Sequence, residues 1–349
     1  MHSNAPPPHR HALIAHLPDS LNPWKLRAAV TLTARPDREN GAPSLKRLRH
    51  EHNPMSLISR FFGRKEVPEN PVALAAAPDV ENPLSVTVVF DGPLQVDIAA
   101  LTAALRAYHP SMKQARVETE PTLSQVFGLA GWGNHVVRLV GFDAPYPSDA
   151  LEACVAPAHY GQDLKQQVRA SRSHVILYYA GHEANPLDQY VALAAVAGAL
   201  AEQNGLAVLN EHAHTSLPAG VFNAKELGDE SLDVLRNIPL NLFFCGFVKY
   251  EVEGVQGVWM RTYGADVFGL PDFAALAEGH HEGERYSGIF NSVMHYLLES
   301  GARMHAGETM QVGAETFMKL REPLEHEYYL KGPAPVLVAE LISADEINR

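Results

Sequence analysis

Between Ser173 and Leu209 the chain spells a strand, a helix and a second strand joined by short connections, and this unit constrains the fold more than any other stretch. Ser173–Ala180 (Ser-His-Val-Ile-Leu-Tyr-Tyr-Ala) is nearly continuous in apolar residues, the pattern of a strand covered on both faces. Asn185 is placed to cap a helix, with Pro186 at its first position and Asp188 in its first turn. Leu187, Tyr190, Val191, Ala194, Ala197 and Leu200 recur at helical spacing, and Gly205 is expected to end the helix. Leu206–Leu209 reads as the second buried strand, which completes a βαβ unit with an expected right-handed crossover.

Around it, Leu84–Phe90 is a β-branched run bounded by Pro83 and Asp91-Gly92-Pro93, and Asp97 caps a helix through about Ala107. Short strands are expected at 114–119 and 134–142. After Pro239, Leu240–Val252 reads as a long strand that turns at Glu253–Gly257 and returns as Val258–Tyr263. Tyr286, Ile289/Phe290, Val293 and Leu297 mark an amphipathic helix ended by Gly301. Strands near 308–312, 315–321 and 335–342 follow. The expected fold is α+β: a mixed β-sheet with one βαβ unit and a C-terminal antiparallel hairpin, helices packed on the sheet, in a single domain over residues 84–345.

The first 54 residues differ in character. They hold eight of the 25 prolines and six of the 18 histidines, without sustained periodicity and without the apolar core of a secretory signal. At Met55 the sequence turns to Met-Ser-Leu-Ile-Ser-Arg-Phe-Phe-Gly-Arg-Lys, so residues 1–54 are expected to be a disordered extension or an upstream stretch ahead of a start at Met55. Residues 55–65 pair apolar Leu57, Ile58, Phe61 and Phe62 with Arg60, Arg64 and Lys65, a short patch able to touch an anionic membrane surface. Residues 66–83 read as a linker.

Residues 1–54 carry eight Lys or Arg against four Asp or Glu; the chain's net charge of −12 therefore leaves −16 for the other 295 residues. So acidic a body disfavours nucleic-acid binding, and no apolar run reaches the length of a membrane span. Cys154 and Cys245 lie far apart among apolar neighbours, as expected of small core residues in a reducing, cytoplasmic compartment.

Arg261-Thr262-Tyr263-Gly264, Phe268-Gly269-Leu270-Pro271-Asp272, an amphipathic helix, then His305-Ala306-Gly307-Glu308-Thr309 and Val312-Gly313 form an ordered series. The series resembles the bacterial domain-of-unknown-function family 4261, most specifically over residues 240–320 and more loosely over 84–235. Two departures stand out: Gly264-Ala265 replaces the family's Gly-Leu, and Asn210-Glu211-His212 stands where an aromatic residue is expected. The resemblance implies an architecture and carries no reaction with it.

Several groups are candidates for chemistry. Glu211-His212-Ala213-His214 follows a buried strand, where loops often carry sites, and His-x-His in an extended segment would put His212 and His214 on one side as metal ligands. A second polar cluster, Glu278, His280, His281, Glu282 and Glu284, has the look of a solvated loop. Gly128–Gly133 (Gly-Leu-Ala-Gly-Trp-Gly) fits neither nucleotide fingerprint and reads as a turn. Within the family-like set Arg261, Thr262, Asp272, Glu308 and Thr309, the carboxylates of Asp272 and Glu308 could converge with Arg261 in one cleft for acid/base or metal work. They suit structural roles equally, with Asp272 placed to cap a short helix over Phe273-Ala-Ala-Leu. With no nucleophile elbow and no cofactor motif, the leading expectation is a noncatalytic module acting through a protein partner. The alternative is a metal-dependent or acid/base hydrolase using His212/His214 or Asp272/Glu308.

Overall fold

The computed structural model describes residues 73–77, 82–120, 126–332 and 334–347. The expectations for residues 1–65, the start at Met55 included, lie outside them. Two points tie down part of the expected linker: Leu74 N–H donates to Glu118 Oε2 at 3.0 Å, and Ala77 N–H to the Ala180 carbonyl at 2.7 Å.

The class is α+β, and among the described residues the strands divide between two sheets. The first is antiparallel and contains β1 (Ser85–Phe90), β2 (Arg116–Thr119), β3 (Phe127–Trp132), β4 (His135–Phe142), β5 (Ser173–Tyr179), β6 (Gly205–Asn210) and β7 (Thr215–Pro218). They lie in the order β2-β3-β4-β5-β1-β6-β7. Strands β5 and β6 run the same way, as a βαβ unit requires, but β1 is inserted between them and pairs antiparallel with both. The unit is therefore split.

Helices α1 (Ile98–Tyr108) and α4 (Pro186–Ala201) pack on one face of this sheet, while α2 (Ser148–Val155) and α3 (Gln162–Arg169) cover the other with Cys154, Val155 and Val168. Asp97 Oδ1 accepts from Ala99 N–H and Ala100 N–H, and Asn185 Oδ1 from Leu187 N–H, so both helix starts are capped as expected. Every residue of α4 from Tyr190 to Ala201 is buried, since its small side chains fill a slot with no solvent side. After α4 the left-handed position is taken by Asn204 (φ 71°), and Gly205 instead opens β6. The segment Gly128–Gly133 is mostly strand; its turn is confined to Gly133-Asn134, between the paired Trp132 and His135.

Three short helices, α5 (Ala224–Leu227), α6 (Ser231–Arg236) and α7 (Leu240–Phe243), lead to the second sheet. The expected long strand Leu240–Val252 is thus a helical turn followed by β8 (Gly246–Tyr250). With β9 (Val258–Tyr263), β10 (Asp272–Ala277), β11 (Thr309–Gln311), β12 (Thr316–Arg321) and β13 (Val336–Ser343), it forms the order β11-β12-β13-β10-β9-β8. The β8–β9 hairpin is antiparallel as expected, and β10–β13 is the parallel pair that makes this sheet mixed. Helix α8 (Gly283–Ser300) lies against it through Phe290, which meets Phe247 and Phe273, and ends at Gly301 in the left-handed region. Val88, Leu193, Phe243, Met260 and Phe290 belong to one continuous core shared by both sheets. Both cysteines are buried and unpaired.

Close approach governs the α4 contact. A Cβ on Gly198 would stand 2.0 Å from the Phe222 carbonyl oxygen, which also accepts from the Tyr108 hydroxyl at 2.6 Å. Gly198→Ala gains about 1 kcal/mol of helix propensity. Overpacking against backbone costs about 1–3 kcal/mol, so the net effect is expected to be destabilising. A thermal melt should show Tm lowered by a few degrees; an unchanged or raised Tm would contradict this packing.

Candidate functional site

The four-residue turn Glu211–His214 between β6 and β7 docks against the start of the second sheet. Asn210, fully buried, fixes it: its Nδ2 donates to the Phe243 carbonyl at 2.8 Å and its Oδ1 faces Ala213 N–H at 3.4 Å. The turn lies so close to Gly246 that a Cβ there would overlap the Ala213 carbonyl oxygen, at 1.6 Å. His214 has a positive φ of 49°, so the segment is not extended and the alternation that would align the two imidazoles does not apply. They are engaged separately. His212 Nε2 meets Asp266 Oδ1 at 2.9 Å, whereas His214 stacks on Tyr263 with ring centres 4.3 Å apart and 6° between planes.

Tyr263 links this turn to Arg261, whose guanidinium carbon lies 4.2 Å from the centre of the same ring. Arg261 and Thr262 in β9 and Asp272 in β10 are all buried, with Arg261 only 2% exposed. Asp272 is the first residue of a central strand rather than a helix cap, and it ties the turn after β9. Its Oδ1 accepts from Ala265 N–H at 3.1 Å and from the Thr262 hydroxyl at 3.3 Å, while Thr262 Oγ1 accepts from Phe273 N–H at 2.8 Å. Among the described residues, no carboxylate oxygen comes within 4 Å of the Arg261 guanidinium, and Asp272 acts on it through space. Glu308 does not join this group. It stands by the edge strand β11, where it accepts from His305 N–H at 2.9 Å. Three strand spacings separate β11 from β10, roughly 14 Å. Thr309, the first residue of β11, is likewise exposed at that edge.

Burial sets the electrostatics. It raises the Asp272 carboxyl to about 6, against the opposing pull of Ala265 N–H and Arg261. It lowers the His214 imidazole, with the Arg261 charge acting in the same direction. It raises the Tyr250 hydroxyl to about 12. Tyr146, whose hydroxyl donates to Glu211 Oε2 at 2.5 Å, is pushed up by burial and then by that carboxylate. The structure thus gathers His214, Arg261, Thr262 and Asp272, places His212 at the rim, and leaves Glu308 outside. Tyr250, Trp259 and Tyr263 join the group unforeseen, while Tyr146 reaches only Glu211 of the turn; the one sequence signal was Trp259-Arg261-Tyr263, aromatic and cationic residues alternating along one strand face.

Among the described residues, no three His, Cys, Asp or Glu side chains meet as a metal site. The second polar cluster lies elsewhere, with His280 Nε2 at 3.1 Å from Glu251 Oε1 and Glu282 Oε2 accepting from Glu278 N–H at 2.8 Å.

For Asp272, a folded-state pKa above the unfolded one means that its favourable contribution is present at low pH and lost as pH rises through about 6. Asp272→Asn keeps the accepting oxygen and removes the titration. Urea unfolding at pH 4 to 7 is expected to show the native protein losing up to about 3 kcal/mol relative to the variant over this range. Parallel profiles would refute a raised carboxyl.

Residues 261–340, running from Arg261 in β9 to Glu340 in β13, match the family model of a domain of unknown function (DUF4261). The matched stretch is under a quarter of the chain; it contains Arg261, Thr262, Asp272 and Glu308 and leaves out the Glu211–His214 turn. No curated protein and no solved structure matches the chain.

Proposed function

We propose that the chain is a noncatalytic protein-interaction module that receives a basic segment of a partner at the hairpin end of the second sheet. One observation carries this reading: a cleft of about 430 Å³ bounded by Glu251, Glu253 and Glu278, with Val252, Val255 and Val258 as its apolar part. Leu276 lies next to it, 43% exposed and in reach of Gly257 at the same hairpin end. Acidic groups around apolar side chains favour a ligand with Lys or Arg flanking aliphatic residues. A larger cleft of about 670 Å³ at Phe90–Asp97 and Gln203–Asn204 has less charge, and Gln203 and Asp97 are bonded to each other across it.

The other reading, a metal-dependent or acid/base hydrolase, draws on the Asp272 carboxyl near neutral pKa beside Arg261. Against it stand the 3% exposure of Asp272 and the engagement of its Oδ1 by Ala265 and Thr262. No described helix is long and apolar enough to cross a membrane.

The test compares affinity capture by the native chain and by a Glu251→Lys, Glu253→Lys, Glu278→Lys variant. These residues are exposed, so the variant should melt as the native protein does while losing a basic partner that the native chain retains at low salt and releases at high salt. Equal capture by both proteins counts against the cleft.

A further inference from the structure

Each of the two sheets ends on a pair of edge strands, whose outer N–H and C=O groups are open to pairing with another chain unless something blunts them. In three of these edges the strand's own residues do so. β7 closes on Pro218, β2 holds Arg116 and Glu118, and β8 holds Lys249. The fourth edge, β11 (Thr309-Met310-Gln311), has neither charge nor proline, and both Thr309 and Gln311 are exposed.

The hydrogen-bond phase of β11 follows from its ends. Leu320 N–H donates to the Glu308 carbonyl and Val312 N–H to the Thr316 carbonyl, each at 2.9 Å. Positions 308, 310 and 312 therefore bond towards β12, and alternation turns the N–H and C=O of Thr309 and Gln311 outward. Among the described residues these outward groups have no backbone partner. The Gln311 side chain is occupied within its own hairpin, where Nε2 donates to the Gly313 and Ala314 carbonyls at 3.0 and 3.2 Å. On the other face Met310 and Val312 are half-buried against the shared core.

We propose that β11 is a self-pairing edge: a second copy of this chain adds antiparallel to it about a two-fold axis at Met310, joining the six-stranded sheets of both copies into one. The pattern is its own complement. Thr309 of each copy meets Gln311 of the other, each such pair exchanging both its N–H···O=C bonds, and Met310 meets Met310 across the axis. Charge agrees at the ends. Arg303 and His305 lead into β11 and Glu315 follows it, so antiparallel pairing sets the basic end of each copy beside Glu315 of the other. Arg303 and Glu315 are exposed and have no ion-pair partner among the described residues, whereas Glu308 already accepts from His305 N–H at 2.9 Å. A foreign strand would have to bring both the bonding phase and the matching charges; a second copy supplies them by symmetry. The pairing is independent of the cleft at Glu251, Glu253 and Glu278, which lies at the opposite edge of the sheet and stays open in each copy.

Sedimentation equilibrium of the full chain should show monomer–dimer exchange in the micromolar range and no larger species. Gln311→Pro removes an outward N–H and spares the bonds to β12, so it should melt close to the native protein while raising the dimer Kd about tenfold or more. Arg303→Glu should weaken the dimer, and Arg303→Glu with Glu315→Arg should restore it; both positions are exposed, so this arm holds even if the proline variant misfolds. Under mild oxidation Met310→Cys should link chain to chain, because directly opposed Cβ atoms lie about 5 Å apart. Thr309→Cys should not, its Cα standing roughly 8 Å from its mate, beyond disulfide reach. The native Cys154 and Cys245 are buried and do not compete. A chain that stays monomeric at its highest soluble concentration would overturn self-pairing. So would a dimer indifferent to both Gln311→Pro and charge reversal, or Thr309→Cys linking as readily as Met310→Cys.

Discussion

The described fold depends on backbone meeting backbone where side chains have been removed. Gly198 of α4 lies against the Phe222 carbonyl, and Gly246 of β8 against the Ala213 carbonyl. The first contact sets how deeply the Ala-rich helix sinks between the first sheet and the short helices that follow β7. The second sets where the Glu211–His214 turn lands on the second sheet, and so where His214 meets Tyr263. Dispersion and burial reward such close approach only while nothing intrudes, because a packed interior has no slack to absorb a methyl group. Arg261 sits where it does because β9 enters the same junction.

Local chemistry makes some of this legible in the sequence. Asp97 and Asn185 cap their helices, Gly301 ends α8, and the apolar run Ser173–Tyr179 is a covered strand. Each is decided within a few residues. What escaped is decided at long range. β1 lies between β5 and β6 because Ser85 pairs with Tyr178 and Thr87 with Leu209, across nearly a hundred residues or more. The run Leu242–Val248 has no polar side chain, so periodicity cannot separate a buried helical turn from a buried strand, and Leu240–Phe243 took the helix. Asp272 after Pro271 and before an apolar run has the signature of a helix cap. Pairing with β9 on one side and β13 on the other made it a strand. The same reversal moved it from a helix end, where its charge would be welcome, to a place where burial opposes ionisation.

The candidate site follows the same division. His-x-His aligns its two imidazoles only in an extended segment, and His214 at φ 49° is not extended. Asp272 and Glu308 were paired by their place in a sequence series, yet two strands, β12 and β13, lie between β11 and β10. The aromatic residues on the Arg261 face come from two places in the chain, Tyr250, Trp259 and Tyr263 from the hairpin and Tyr329, against Trp259, from the covering turn. No local pattern brings them together.

Arg321 shows what the fold does when it means an arginine to be structural. In β12 it places two nitrogens on Glu327 at 2.7 and 2.8 Å and its Nε on Glu340 at 2.7 Å, pinning the covering turn to the sheet. Glu327 in turn accepts from Leu324 N–H at 2.7 Å. Every edge of that guanidinium faces an oxygen. Arg261, in the same sheet and more deeply buried, has an aromatic face, an unmatched Nε, and a carboxylate neighbour whose charge is itself resisted by burial. A charge buried in this way costs several kcal/mol, and an apolar residue of similar volume would avoid the cost. Arg321 is held by short ion pairs, whereas Arg261 is held by the Tyr263 ring and by the Asp272 charge acting through space.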